Sequence, residues 1–98
     1  MTDKKQKDLW SMFEKKPILI KAIQFTDETK HQVLNELHTI KQNIQPSFDE
    51  EGKPCLKIPT LEGVMIAKLN DWIIVGFEGE LYPCKPHIFE QTYKKIAK

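Results

Sequence analysis

An unbroken apolar run from Trp72 to Val75 stands between two turn sequences, Asn70-Asp71 before it and the glycine-containing segment 76–80 after it. Alternate side chains of a strand point to opposite sides of the sheet, so a run without polar alternation is typical of a strand covered on both faces. Turn signals also recur about every eight to ten residues from Leu61 onward, as in successive antiparallel strands. The sequence therefore predicts a meander in which segment 72–75 is the centre of the sheet.

Segment 26–44 changes to the spacing of a helix. Thr26 or Asp27 is suited to the N-cap, and Pro46 is expected to end the helix. The apolar residues recur three and four apart, as an amphipathic helix requires: Val33, Leu34, Leu37, Ile40 and Ile44.

Two further segments have the composition of strands. Segment 17–25 begins with a proline and is rich in Ile and Leu. Segment 55–60 contains Pro59, which predicts an edge strand or the end of a strand. Beyond these strands, Pro86 fits the first position of a helix, and the spacing of Phe89 and Tyr93 favours a single helical turn.

These patterns together predict an α+β fold. We expect a mostly antiparallel sheet of four to five strands, one amphipathic helix packed on it, and a short C-terminal helical turn. Residues 15–98 form a single domain, and residues 1–14 precede it as an N-terminal arm or short helix, because Leu9 and Phe13 lie four apart beside Trp10. An apolar arm and open sheet edges favour a homo-oligomer.

Composition narrows the function classes. The 98 residues include 15 basic and 14 acidic side chains, and the net charge of +1 argues against general nucleic-acid binding. No apolar run approaches the roughly 20 residues needed to cross a bilayer, and residues 1–10 lack the apolar core of a secretory signal. Two cysteines are too few for a disulfide scaffold. We expect a cytoplasmic protein with no membrane contact.

The sequence contains none of the common catalytic motifs, and we expect neither catalytic residues nor a cofactor. Cys84 and His87 have the spacing of two metal ligands or of a nucleophile and its base. A zinc site needs about four donors, however. The remaining histidines and cysteines are scattered through the chain: His31, His38 and Cys55. Packing of Cys84 in a strand is therefore favoured over a metal site or a nucleophile.

A binding site is easier to support from the residues. Trp72 and Tyr82 offer aromatic faces with a polar edge, and Lys85 supplies a cation that can meet a phosphate. We predict a ligand site from these three residues together with Asp71 and His87. The alternatives are that both aromatic residues belong to the core, that Lys85 is solvated, and that Asp71 accepts backbone hydrogen bonds in its turn.

Several stretches match the pattern of one family: "KKPILIKAIQF" near the start, then "IPTLEG", "DWII", "GELYPCKP" and "IFEQTY". The chain thereby resembles a family of small proteins encoded by tailed bacteriophages and prophages, over nearly all of residues 15–94. Three named positions depart from the family pattern. Leu69 and Asn70 stand where the family has proline and glycine, and Asn70 still tolerates a positive φ. His87 stands where the family has aspartate.

The resemblance implies a viral protein, and the absence of catalytic motifs favours binding over catalysis. Our leading hypothesis is a non-enzymatic counter-defence protein that sequesters a nucleotide-type immune signal or occludes a host protein. The alternative is a structural or regulatory adaptor of phage origin that binds a protein through its arm and a sheet edge, with no small-molecule ligand.

Overall fold

Residues 8–96 are described by the structure, a computed structural model. They contain six strands and two helices, which confirms the α+β class. The strands are β1 (Lys21–Gln24), β2 (Gln45–Phe48), β3 (Pro54–Thr60), β4 (Gly63–Lys68), β5 (Trp72–Val75) and β6 (Leu81–Cys84), and the helices are α1 (Lys30–His38) and α2 (Pro86–Thr92).

The prediction of one sheet of four to five strands is wrong. The strands form two antiparallel sheets of three, in the orders β1-β5-β6 and β2-β3-β4. The meander from Leu61 onward is thus divided between two sheets, because the chain leaves one sheet after β4 and enters the other at β5. Segment 72–75 does lie at the centre of its sheet, as predicted.

The turn between β4 and β5 causes this change of sheet. Asn70 adopts a positive φ of 78°, which confirms that it takes over the conformation favoured by glycine. The backbone N–H of Phe25 donates to the carbonyl of Asp71 at 2.9 Å, and the N–H of Asn70 donates to the carbonyl of Phe25. These bonds tie the turn to the end of β1, so the strand that follows it pairs with β1.

One hydrophobic core lies between the two sheets and α1. Ile73 of β5 is within it and is fully buried, whereas Ile74 points to the opposite face of the same strand and is 1% exposed. Both faces of β5 are therefore covered, as the unbroken apolar run predicts. The buried residues of the core are Phe25, Val33, Leu37, Ile44, Leu56, Ile58, Ala67, Ile73 and Leu81.

Helix α1 is shorter than the predicted segment 26–44. Thr26 and Thr29 hydrogen-bond to each other through their hydroxyls at 2.8 Å, which makes a turn and delays the first helical residue to Lys30. At the other end, the hydroxyl of Thr39 donates to the carbonyl of Glu36 at 2.6 Å. The backbone N–H groups of Thr39 and Ile40 donate to carbonyls three residues earlier, at 3.2 and 2.9 Å, so the last turn tightens and the helix ends at His38.

Three further expectations for strand and helix ends meet different outcomes. Pro46 does not end a helix but lies in β2, an edge strand, where its missing N–H is tolerated. Of the two alternatives for Pro59, the edge strand is wrong, because β3 is central, and the strand end is confirmed, because Pro59 lies next to the last residue of β3, opposite Val64. The first strand is shorter than 17–25, because only residues 21–24 find partners on β5.

The arm segment, residues 8–14, is the described part of the predicted N-terminal arm; residues 1–7 lie outside the described range. It contains neither a helix nor a strand. Its four large apolar side chains are 86–97% exposed: Leu9, Trp10, Met12 and Phe13. Within residues 8–96, both helices fall short of the length and apolarity that a membrane crossing requires.

Candidate functional site

Helix α2 covers the face of the β1-β5-β6 sheet that points away from the core. Lys85 is extended at its N-cap and Pro86 takes the first helical position, as predicted, because proline fixes φ where the N–H would be unpaired. The helix runs for two turns rather than the single predicted turn. The register of β5 with β6 places Trp72 opposite Cys84 and Ile74 opposite Tyr82.

The contact between strand and helix is aromatic. The rings of Trp72 and Phe89 stack with centroids 4.3 Å apart and an interplanar angle of 8°. Phe89 in turn contacts Tyr93 at 5.1 Å in a tilted arrangement. Such pairs add about 0.5–1.5 kcal/mol beyond the area they bury. This aromatic row therefore fixes the short α2 on the sheet.

Beside this aromatic row lies a groove of about 500 Å³, the Trp72 groove. Its volume falls within the roughly 300–1,000 Å³ that is usual for ligand clefts. Lysines 21, 94 and 95 are exposed and contribute cations to its border. The lining is otherwise mostly apolar and consists of Ile18, Leu19, Ile20, Lys21, Ala22, Trp72, Phe89, Tyr93, Lys94, Lys95 and Ile96.

The indole of Trp72 carries an unpaired donor in this groove. Its Nε1 is buried and has no hydrogen-bond partner among residues 8–96. An unpaired buried donor costs about 1–3 kcal/mol.

Asp71 and Lys85 lie outside the groove lining and bind each other. Lys85 Nζ is 3.6 Å from Asp71 Oδ2, an ion pair rather than a hydrogen bond. The carboxylate of Asp71 is 3% exposed and accepts the backbone N–H of Lys68 at 2.9 Å. The turn role predicted for Asp71 is thus confirmed, and the charge of Lys85 is partly satisfied within the chain.

Tyr82 is half-buried and is not among the groove-lining residues. Burial, and secondarily the hydroxyl of Tyr93, raises the pKa of Tyr82 to about 12. A phenol with so high a pKa stays neutral at physiological pH. Tyr82 is therefore neither a groove residue nor a member of the hydrophobic core, the alternative considered from the sequence.

His87 is exposed on the first turn of α2, away from the groove lining. Burial raises the pKa of the Cys84 thiol, with the charge of Asp71 as a second cause, and burial likewise raises the pKa of Cys55. A raised pKa lowers the thiolate population, the reactive form. Residues 8–96 contain no group of three His, Cys, Asp or Glu side chains that is arranged to hold a metal ion.

The structure thus brings only Trp72 of the five predicted ligand residues to the groove. The residues that sequence reasoning missed are segment 18–22 and the chain end from Phe89 to Ile96. For the second of these segments, the four-residue spacing of Phe89 and Tyr93 was a signal in the sequence. It indicates that the two side chains share one face of a helix, but not which residues that face contacts. Segment 18–22 carries no such signal.

We expect alkaline titration to report the burial of Tyr82. The chain has two tyrosines, so Tyr93→Phe leaves a single phenolate absorbance. Its midpoint should lie above the ordinary pKa of 10.0, because burial remains, and below the value of about 12 in the unsubstituted protein, because the Tyr93 hydroxyl is lost. A midpoint at the ordinary value in folded protein would contradict the burial.

The same shift has a consequence for stability. The folded pKa of Tyr82 lies above its unfolded value, so its contribution to stability is fully present below the unfolded value of 10.0 and is lost as the pH rises through about 12. Urea unfolding across this window should show falling stability in the unsubstituted protein, and a smaller decline in Tyr82→Phe.

No family model, curated protein or solved structure matches this chain significantly.

Proposed function

We propose that this protein is a non-enzymatic binding protein whose Trp72 groove takes an apolar segment of another protein. The groove itself supports this proposal: it joins apolar walls and stacked aromatic residues to a border of three lysines. Apolar surface gives affinity, and cations at the rim select for partners with acidic flanks.

The free edge of β1 adds a way to hold such a segment. β1 pairs with β5 on one side, and residues 8–96 place no strand on its other side. Residues 18–22, which include the start of β1, form one wall of the groove. An extended segment lying there could therefore bond to the backbone of β1 while its side chains enter the groove, the mode known as strand addition.

The resemblance to phage and prophage proteins supports a viral origin, and with it a bacterial host cytoplasm as the place of action. In that setting the captured segment belongs to a host protein, and counter-defence is achieved by occluding it. Capture of a second phage protein would instead make the chain a structural or regulatory adaptor. The two versions use the same groove and differ in the source of the partner.

Sequestration of a nucleotide-type immune signal is the second candidate. The three lysines at the groove favour it, because phosphate groups are bound by such cations. One observation argues against this candidate. Trp72 and Phe89 stack on each other at 4.3 Å, so the two ring faces that meet in this stack are blocked and cannot stack on a nucleotide base. The mostly apolar lining also suits a peptide side chain better than a sugar.

Charge reversal at the groove tests the proposal. We expect immobilised protein to capture a specific host protein from a bacterial lysate, and Lys94→Glu/Lys95→Glu to reduce the captured amount at least ~10-fold, because the cationic border is inverted. Lys53→Glu/Lys57→Glu is the matched control and should capture normally, because both lysines are exposed and lie just before and within β3, on the other sheet's side of the molecule.

Equal capture by both variants would contradict a role for the groove. Isothermal titration of the same proteins with cyclic and ADP-ribose-type nucleotides separates the second candidate. A binding heat that is lost in the Lys94→Glu/Lys95→Glu variant, but kept in the control variant, would favour nucleotide sequestration. The absence of binding heat in folded, unsubstituted protein would exclude that candidate.

A further inference from the structure

The arm segment exposes more apolar side-chain surface to solvent than is usual for a monomeric soluble protein. Trp10, Met12 and Phe13 are 86%, 97% and 91% exposed. Contiguous exposed apolar side chains on soluble proteins mark binding sites. The arm segment therefore needs a surface that covers it.

The Trp72 groove has the matching properties. Its mostly apolar lining suits large aromatic and aliphatic side chains, and its volume of about 500 Å³ is in the range of specific clefts. A groove and an arm segment of one chain thus have complementary chemistry.

Charge supports the same match. Asp8 and Glu14 directly flank the apolar stretch 9–13, and Lys7 and Lys15 lie one position further out. Lysines 21, 94 and 95 surround the groove. An arm segment seated in the groove would place its two carboxylates near these three ammonium groups.

The arm segment of the same chain is poorly placed to enter this groove. Ile18 already belongs to the groove wall, so the chain would have to reverse within residues 14–17. Pro17 fixes its own φ and biases Lys16 toward an extended backbone, which disfavours a tight reversal there. A second copy meets no such restriction, and a two-fold axis lets both arm segments dock reciprocally.

We propose that the arm segment of each copy docks in the Trp72 groove of a second copy, so that the free protein is a two-fold dimer with both grooves covered. The inference shares with the proposed function the premise that the groove accepts an apolar segment. A protein partner then displaces the arm segment, and dimer dissociation accompanies capture.

Light scattering of the full chain tests the dimer. We expect a mass of two chains at micromolar concentration, and Trp10→Ser/Phe13→Ser to weaken dimerisation at least ~100-fold, as loss of two aromatic anchors does. Both residues are exposed in the single chain, so these substitutions leave the fold intact. The matched control is Phe48→Ser/Phe77→Ser, two exposed aromatic residues outside the groove, which should remain dimeric.

A charge swap locates the contact. Lys94→Glu/Lys95→Glu should weaken dimerisation, and adding Asp8→Lys/Glu14→Lys in the same chain should restore it. The tryptophan emission of the unsubstituted protein should shift to the blue as the protein is concentrated, and Trp10→Phe should reduce that shift. A one-chain mass at all concentrations, or a dimer indifferent to the arm substitutions, would overturn the proposal.

The two proposals fail separately. If the protein is monomeric but charge reversal at the groove still abolishes partner capture, the dimer proposal is wrong and the proposed function stands. If the protein is a dimer that depends on the arm segment, but the Trp10→Ser/Phe13→Ser variant with its uncovered groove captures no protein, the proposed function is wrong and the dimer proposal stands.

Discussion

Ile73→Ala is expected to lower the free energy of unfolding by about 2–5 kcal/mol, the usual range for truncating a fully buried Ile or Leu. Ile73 is 0% exposed on the central strand of its sheet and belongs to the core between the two sheets. Shortening it removes apolar contacts with both layers and leaves a cavity. For a domain whose total stability is about 5–15 kcal/mol, this is a large fraction.

Urea unfolding followed by circular dichroism measures the loss. Ile66→Ala is the matched control: it removes the same atoms from the edge strand β4, where the side chain is 39% exposed, and should cost under about 1 kcal/mol. Ile73→Val, expected to cost about 0.5–1.5 kcal/mol, keeps the test usable if the alanine variant does not fold. Equal losses for the two alanine variants would contradict a core between the sheets.

Asp71→Ala is expected to cost about 1–3 kcal/mol, far more than Lys85→Ala. The carboxylate of Asp71 is buried and accepts the N–H of Lys68, so its removal leaves a donor without a partner. The Lys85 side chain is 53% exposed and can hydrate once its partner is gone, so Lys85→Ala should cost under about 1 kcal/mol. The two residues of this ion pair thus contribute unequally to the free energy of unfolding.

Asp71→Asn separates the hydrogen bond from the charge. It keeps an acceptor oxygen for Lys68 and removes the charge opposite Lys85, so its cost should lie between those of the two alanine variants. Thermal and urea unfolding of all three variants, with the double variant to complete the cycle, measures the coupling. A larger loss for Lys85→Ala than for Asp71→Ala would show that the ion pair, and not the turn, stabilises this corner.

The turn at Asp71 also shows how far local reasoning reaches. The positive φ of Asn70 and the turn-stabilising role of Asp71 both follow from the chemistry of Asn and Asp side chains, and both are confirmed. In the turn between β5 and β6, the Glu80 carboxylate likewise accepts the N–H of Glu78 at 3.0 Å. These features depend on a few neighbouring residues, so the sequence contains all that is needed.

The candidate site was predictable only in part. Trp72 was identified from its aromatic ring and its strand, and it does line the groove. Lys85 looked like a free cation, but its partner Asp71 is fourteen positions earlier and is brought to it by the pairing of β5 with β6. The cations at the groove come instead from Lys21, Lys94 and Lys95. No sequence pattern connects Lys21 with the other two lysines.

The sequence by itself determined the α+β class, the covered central strand 72–75, the position of the turns, and the start of α2 at Pro86, because each depends on contacts or conformational preferences within a few residues. The tertiary structure alone decided the division into two sheets and the existence of the Trp72 groove. β1 pairs with β5 across about fifty residues, and the groove joins segment 18–22 to residues near 95. Such pairings are selected by the burial of the whole core, a quantity that no local pattern contains.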